Sequence, residues 1–93
     1  MKDEERKALH EALDIILDIN ESRKADTFFS FSGHVNAVTI MAYKGGWEFE
    51  KPHDLMLESD LKNPEESEKW IPGKYTPENL VKRLEEFKRE VEA

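Results

Sequence analysis

Cysteine is absent from the 93 residues. That excludes disulfide frameworks and thiolate chemistry and makes an intracellular setting the expectation. Long apolar runs are also missing, and none approaches the length needed to span a bilayer, so no membrane partner is expected. The N-terminal stretch MKDEERKALHEALDIIL opens with acids and holds no uninterrupted apolar core. It does not read as a signal peptide, and the expected location is cytoplasmic. Basic residues are in deficit, 14 against 21 acids, for a net charge of −7. Affinity for nucleic acid rests mainly on Lys and Arg neutralising phosphates, so direct nucleic-acid binding is not expected. The charge fits basic protein partners, or nothing beyond solubility, and does not separate the two. Internal repeats, low-complexity tracts and domain boundaries are lacking as well, and residues 1–93 are expected to form one domain.

What is present centres on Thr27 to Glu50, TFFSFSGHVNAVTIMAYKGGWEFE, which carries six of the nine aromatic residues. Gly33-His34 and Gly45-Gly46 are turn signals of the type II′ and type I′ kind, flanked by strand-forming residues. Two-residue loops at both places set Phe29 opposite Val38 and Ala42 opposite Phe49. Alternation along each strand then collects Phe29, Phe31, Val38, Ile40, Ala42, Trp47 and Phe49 on one side, the expected core. The other side carries Phe28, Ser30, Ser32, Val35, Ala37, Thr39, Met41, Tyr43, Glu48 and Glu50. This side suits cover by a later segment or an ordinary half-wet sheet face; alternatively, Met41 and Tyr43, of types enriched at protein interfaces, make it a candidate protein-binding face.

Helices flank the meander. Leu9, Ala12, Leu13, Ile16 and Ile19 follow helical spacing, predicting a helix over about 3–24 with no internal Gly or Pro. Glu11, Asp14, Asp18 and Glu21 line its flank at spacings of three and four. Thr76 reads as an N-cap with Pro77 first in the helix, and Leu80, Val81, Leu84, Phe87 and Val91 form one stripe, predicting a helix over about 77–91. Between meander and last helix, about 54–75, the spacing is irregular. Residues 54–59 suit a fourth strand or a helical turn equally, and Asn63-Pro64-Glu65-Glu66 suits one helical turn. Trp70 and Tyr75 are expected to pin this segment to the core. Between Asp54 and Glu68, the acids Asp54, Glu58, Asp60, Glu65, Glu66 and Glu68 stand against Lys62 alone. The fold class that follows is α+β in two layers, helix, three- or four-stranded antiparallel meander (about 27–51), helix.

No stretch carries an identifiable reaction. His10, His34 and His53 share no ligand spacing, and no nucleophile elbow or phosphate loop surrounds Ser30, Ser32, Ser59 or Gly45-Gly46. Catalytic residues, cofactor and metal are therefore all expected to be none.

The Phe28–Trp47 segment, with its Ser32-Gly33-His34-Val35-Asn36 and Tyr43-Lys44-Gly45-Gly46-Trp47 turns, resembles short uncharacterised proteins carried by phages and prophages of Gram-positive bacteria. The resemblance implies helices at both ends and a setting in which small acidic proteins bind a bacterial host factor. The expectation drawn from residues and resemblance together is a small acidic, non-enzymatic protein-binding module. It could serve as a phage-borne inhibitor of a basic host nucleic-acid-handling protein, with the six acids of 54–68 and Met41 and Tyr43 as contacts. The alternative is a self-assembling, homodimeric module that pairs through a sheet edge or through the Phe28/Met41/Tyr43 face.

Overall fold

The structure is a computed structural model and describes residues 1–92. Its elements are α1 (Asp3–Ser22), β1 (Ala25–Ser32), β2 (Ala37–Lys44), β3 (Leu55–Asp60), α2 (Pro64–Trp70) and α3 (Pro77–Glu92). The strands form one antiparallel sheet in the order β1-β2-β3. This is the α+β helix–meander–helix layout that the sequence pattern predicts, with α2 added between sheet and last helix.

The helix ends have local causes. Glu5 accepts a hydrogen bond from the Lys2 amide at 2.8 Å, reaching back over the first turn of α1. The helix stops at Arg23, which takes a left-handed φ of 62°. Thr76 accepts from the Asn79 amide at 3.3 Å and Pro77 opens α3, as the spacing predicts. The turn anticipated at Asn63-Pro64 runs on to Trp70 before Ile71 leaves helical geometry.

Both long helices pack on one side of the sheet. Ala8, Ala12 and Ile16 of α1 and Leu80, Val81 and Leu84 of α3 meet Val38, Ile40 and Leu57 in one cluster, and Ile19, Phe87, Ala25 and Ala42 extend it. Each large apolar side chain buried this way contributes about 1.5–3 kcal/mol, so this layer dominates stability. A salt bridge between Asp18 and Lys88 crosses from α1 to α3.

The register departs from the expected one in two places. Phe29 pairs with Ile40 and Phe31 with Val38, because residues 33–36 form a four-residue connection. The slip is by two residues, so each side chain keeps its face. Left-handed φ falls on Asn36 (53°), while neither Gly33 nor His34 adopts it.

The second departure is larger. Gly45 and Gly46 take the positive φ values of the anticipated turn (75° and 99°), yet the chain does not return as a strand there. The partner of β2 is β3, with Leu57 opposite Ile40 and Leu55 opposite Ala42. Leu55 and Leu57 present a drier alternation than Trp47-Glu48-Phe49-Glu50, and Pro52 would remove a ladder donor from the nearer segment. Trp47 and Phe49 are consequently not core residues. They are 52% and 82% exposed.

Candidate functional site

Helices cover only one side of the sheet. The opposite side presents Phe28 and Ser30 from β1, Thr39, Met41 and Tyr43 from β2, and Met56 and Glu58 from β3, as strand alternation requires. Phe28 and Met56 are exposed there, and Met41 is half-buried. Tyr43, expected as a contact residue, is buried and meets Phe28 edge-on with ring centroids 5.8 Å apart.

Asp26 lies on this same side and accepts from the Trp47 amide at 2.7 Å, which draws residues 45–54 toward this end of the sheet. Lys51 secures the start of that loop by donating to the Lys44 and Gly46 carbonyls. A Cβ added at Gly46 would stand 3.4 Å from the Asp26 carboxylate, on a backbone that disfavours side chains, so glycine is required for this approach.

The two sheet edges differ. Beside β3, Gly73 accepts from the Glu58 amide at 3.3 Å and the Tyr75 amide donates back to the Glu58 carbonyl at 2.8 Å. Residues 73–75 thus close that edge at its middle. At β1 the outward groups of Thr27 are taken by Asn20 of α1. Its amide oxygen accepts from the Thr27 amide at 2.7 Å and its amide nitrogen donates to the Thr27 carbonyl at 3.2 Å. Asn20 so acts as one residue of a neighbouring strand. Phe29 and Phe31 share the parity of Thr27, so their N–H and C=O groups also point away from β2. Those groups have no backbone partner among the described residues. Phe31, expected in the core, faces the helix layer but stands at the rim of the sheet, 52% exposed.

The acids of 54–68 are engaged within the chain. Asp54 accepts from the Lys44 amide (2.6 Å), Glu58 pairs with Lys74, and Asp60 accepts from the Ser67 hydroxyl (2.9 Å). Glu65 pairs with Lys2 and Glu66 accepts from the Trp70 indole (2.9 Å). Glu68 receives the Thr76 amide (2.8 Å) and the Asn79 side chain, clamping the start of α3. These carboxylates lie on β3, α2 and the segments between, and do not form one free loop. Trp70 does not pin the segment, being 70% exposed; Tyr75 packs against the core. Of the flanking strip on α1, Asp18 is taken by Lys88, while Glu11, Asp14 and Glu21 stay exposed.

Shallow concavities remain. One lies between the start of α1 and the β3–α2 connection, lined by Lys2, Glu5, Leu61 and Glu65; a second lies between residues 71–75 and α3, and a third along the first turns of α1 at Asp3, Arg6, Lys7 and His10. Of the carboxylates in the first two, Glu5 and Glu68 are occupied with helix ends, Glu65 pairs with Lys2, Glu66 accepts from the Trp70 indole and Glu86 pairs with Arg83. Among the described residues no three His, Asp or Glu side chains come together as a metal site, and no helix is long and apolar enough to cross a membrane.

Asn20 and the open rungs at Phe29 and Phe31 are not marked by any motif, although a sheet edge is one of the two routes expected for self-assembly. One signal in the sequence points to them. From Thr27 to Tyr43 there is no Asp, Glu, Lys or Arg, in a chain of which 38% is charged. No protein-family model, curated protein or solved structure matches this chain.

Proposed function

We propose that this protein is a non-catalytic binding module that takes up a partner protein on the uncovered side of its sheet. The observation carrying this reading is that Phe28 and Met56 stand exposed around half-buried Met41 on a face left open by both helices. Aromatic and methionine side chains clustered this way supply contact area at an interface core. Glu48 and Glu50, exposed on the loop beside that face, and the net charge of −7 favour a partner whose apolar contact is rimmed by Lys and Arg. In the phage setting that the SGHVN…GGW resemblance implies, a host protein handling nucleic acid has that chemistry. The engagement of all six acids of 54–68 inside the chain shifts the proposed contact from those carboxylates to the sheet.

The test is capture from a bacterial lysate with the wild type, a Phe28→Asp/Met56→Asp variant and a Glu65→Gln/Glu66→Gln variant. The sheet variant is expected to lose a salt-sensitive partner that the other two retain. Retention by the sheet variant with loss by the acid variant would return the contact to the carboxylates. Self-association rests on a different observation and is treated next.

A further inference from the structure

We infer that the open edge of β1 is a self-pairing site, where a second copy of this chain adds its own β1 antiparallel and makes one continuous six-stranded sheet. The inference is independent of the open-face reading, since it rests on the strand edge and not on the face.

Three observations carry it. First, the edge is unprotected. Natural edge strands are usually blunted by a charge, a proline or a bulge. Phe28 to Ser32 has none of these, and it lies within the only long charge-free stretch of the chain. Two copies that repel through a charge of −7 meet here at the lowest electrostatic cost. Second, Asn20 fixes the length and centre of the pairing. With Thr27 occupied, the outward groups left between it and the end of β1 are those of Phe29 and Phe31. A two-fold axis at Ser30 sets Phe29 opposite the second copy's Phe31, and Phe31 opposite its Phe29, so every one of these groups gains a partner. Centring on Phe29 or Phe31 would strand half of them or collide with Asn20. Third, the flank is apolar. Leu13 and Leu17 share a side of α1 with Asn20, at spacings of four and three, and both are exposed. Since Asn20 reaches the β1 edge at Thr27, that side of the helix overlooks it.

The paired edge is short and the contact stays small. Phe28 and Phe31, each about half exposed, supply on the order of 200 Å² of apolar surface per chain if a whole aromatic buries about 150–250 Å². That is well below the roughly 800 Å² per partner of a standard interface, even with Leu13 and Leu17 added. The dimer is therefore expected to be weak and to form only as concentration rises.

At the two-fold, the Ser30 pair falls at a non-hydrogen-bonded position, where Cα atoms stand about 4.5 Å apart. That distance lies within the disulfide range, and no native cysteine competes. Sedimentation of the wild type between micromolar and millimolar concentration is expected to show monomer giving way to dimer. Ser30→Cys is expected to form an intermolecular disulfide on mild oxidation, at least tenfold faster than Ser32→Cys, whose register partner is Phe28. Ser30 is exposed on the sheet face, so Ser30→Lys and Ser30→Glu leave the monomer folded, as circular dichroism would verify. Each alone is expected to stay monomeric, and their mixture to pair. A wild type monomeric at millimolar concentration, or equal cross-linking at Ser30 and Ser32, would overturn the inference. So would dimers that survive Ser30→Lys, or growth past the dimer on this edge. Partner capture by wild type diluted until sedimentation shows only monomer, lost in Phe28→Asp/Met56→Asp, tests the open face separately from the edge.

Discussion

Glu68 holds the start of α3 through the Thr76 amide and the Asn79 side chain, at 2.8–2.9 Å. Hydrogen bonds to a charged acceptor are stronger than neutral ones, and removing it leaves donors at a helix start without a partner. Glu68→Ala should destabilise the protein by about 1–2 kcal/mol, seen as a lower urea midpoint. Ser59 makes the opposite case. It faces the core opposite Val38, is fully buried, and its hydroxyl has no partner. Ser59→Ala should raise stability by about 1 kcal/mol, because an unsatisfied buried hydroxyl carries a desolvation cost; a loss instead would show that the hydroxyl is hydrogen-bonded. The Thr76-Pro77 start of α3 was legible in the sequence because a cap is local chemistry, complete within four residues. The partners of Glu58, Glu66 and Glu68 were not. A carboxylate's partner is chosen by tertiary proximity, and nothing in an acid-rich stretch separates a solvated side chain from a clamp.

Among the elements, the helices and the facing of β1 and β2 followed from periodicity, which survives a two-residue slip intact. The identity of the third strand did not follow. Gly45-Gly46 has the conformations of a tight hairpin, and only competition between two apolar segments for the free side of β2 decides which one pairs. Leu55–Asp60 occupies that place, so Phe49 stands in solvent. Phe49→Ser should change stability by no more than about 0.5 kcal/mol, the range for exposed positions; a loss of several kcal/mol would put the 47–50 segment back in the core. The link between α1 and β1 is as specific. Asn20→Ala should cost about 1–2 kcal/mol and speed amide exchange at Thr27 relative to its neighbours, since both backbone groups of that residue lose their partner.

Considered whole, the molecule has one dry layer, between the helices and the sheet, and a second sheet surface that no long helix covers, where Tyr43 is buried but Phe28 and Met56 stand exposed. One edge of the sheet is closed by residues 73–75 and the other is open for the length of Phe29 to Phe31. Negative charge spread over the helices and loops keeps copies apart everywhere except along that uncharged strand. The arrangement suits a small module that acts by contact, through the face toward a partner protein and through the edge toward itself. Pairing at the edge would also join two open faces side by side, doubling the surface offered to a partner, so capture should strengthen with protein concentration.

The most direct measurement is amide hydrogen exchange, residue by residue, along β1 at micromolar and at millimolar concentration. Phe28 and Ser30 donate within the sheet and should be protected at both. Phe29 and Phe31 should exchange close to the unprotected rate when dilute, and should gain protection together as concentration rises. Protection of Phe29 and Phe31 that is already complete in dilute protein, or that never changes with concentration, would contradict the account of an open edge that closes on a second copy.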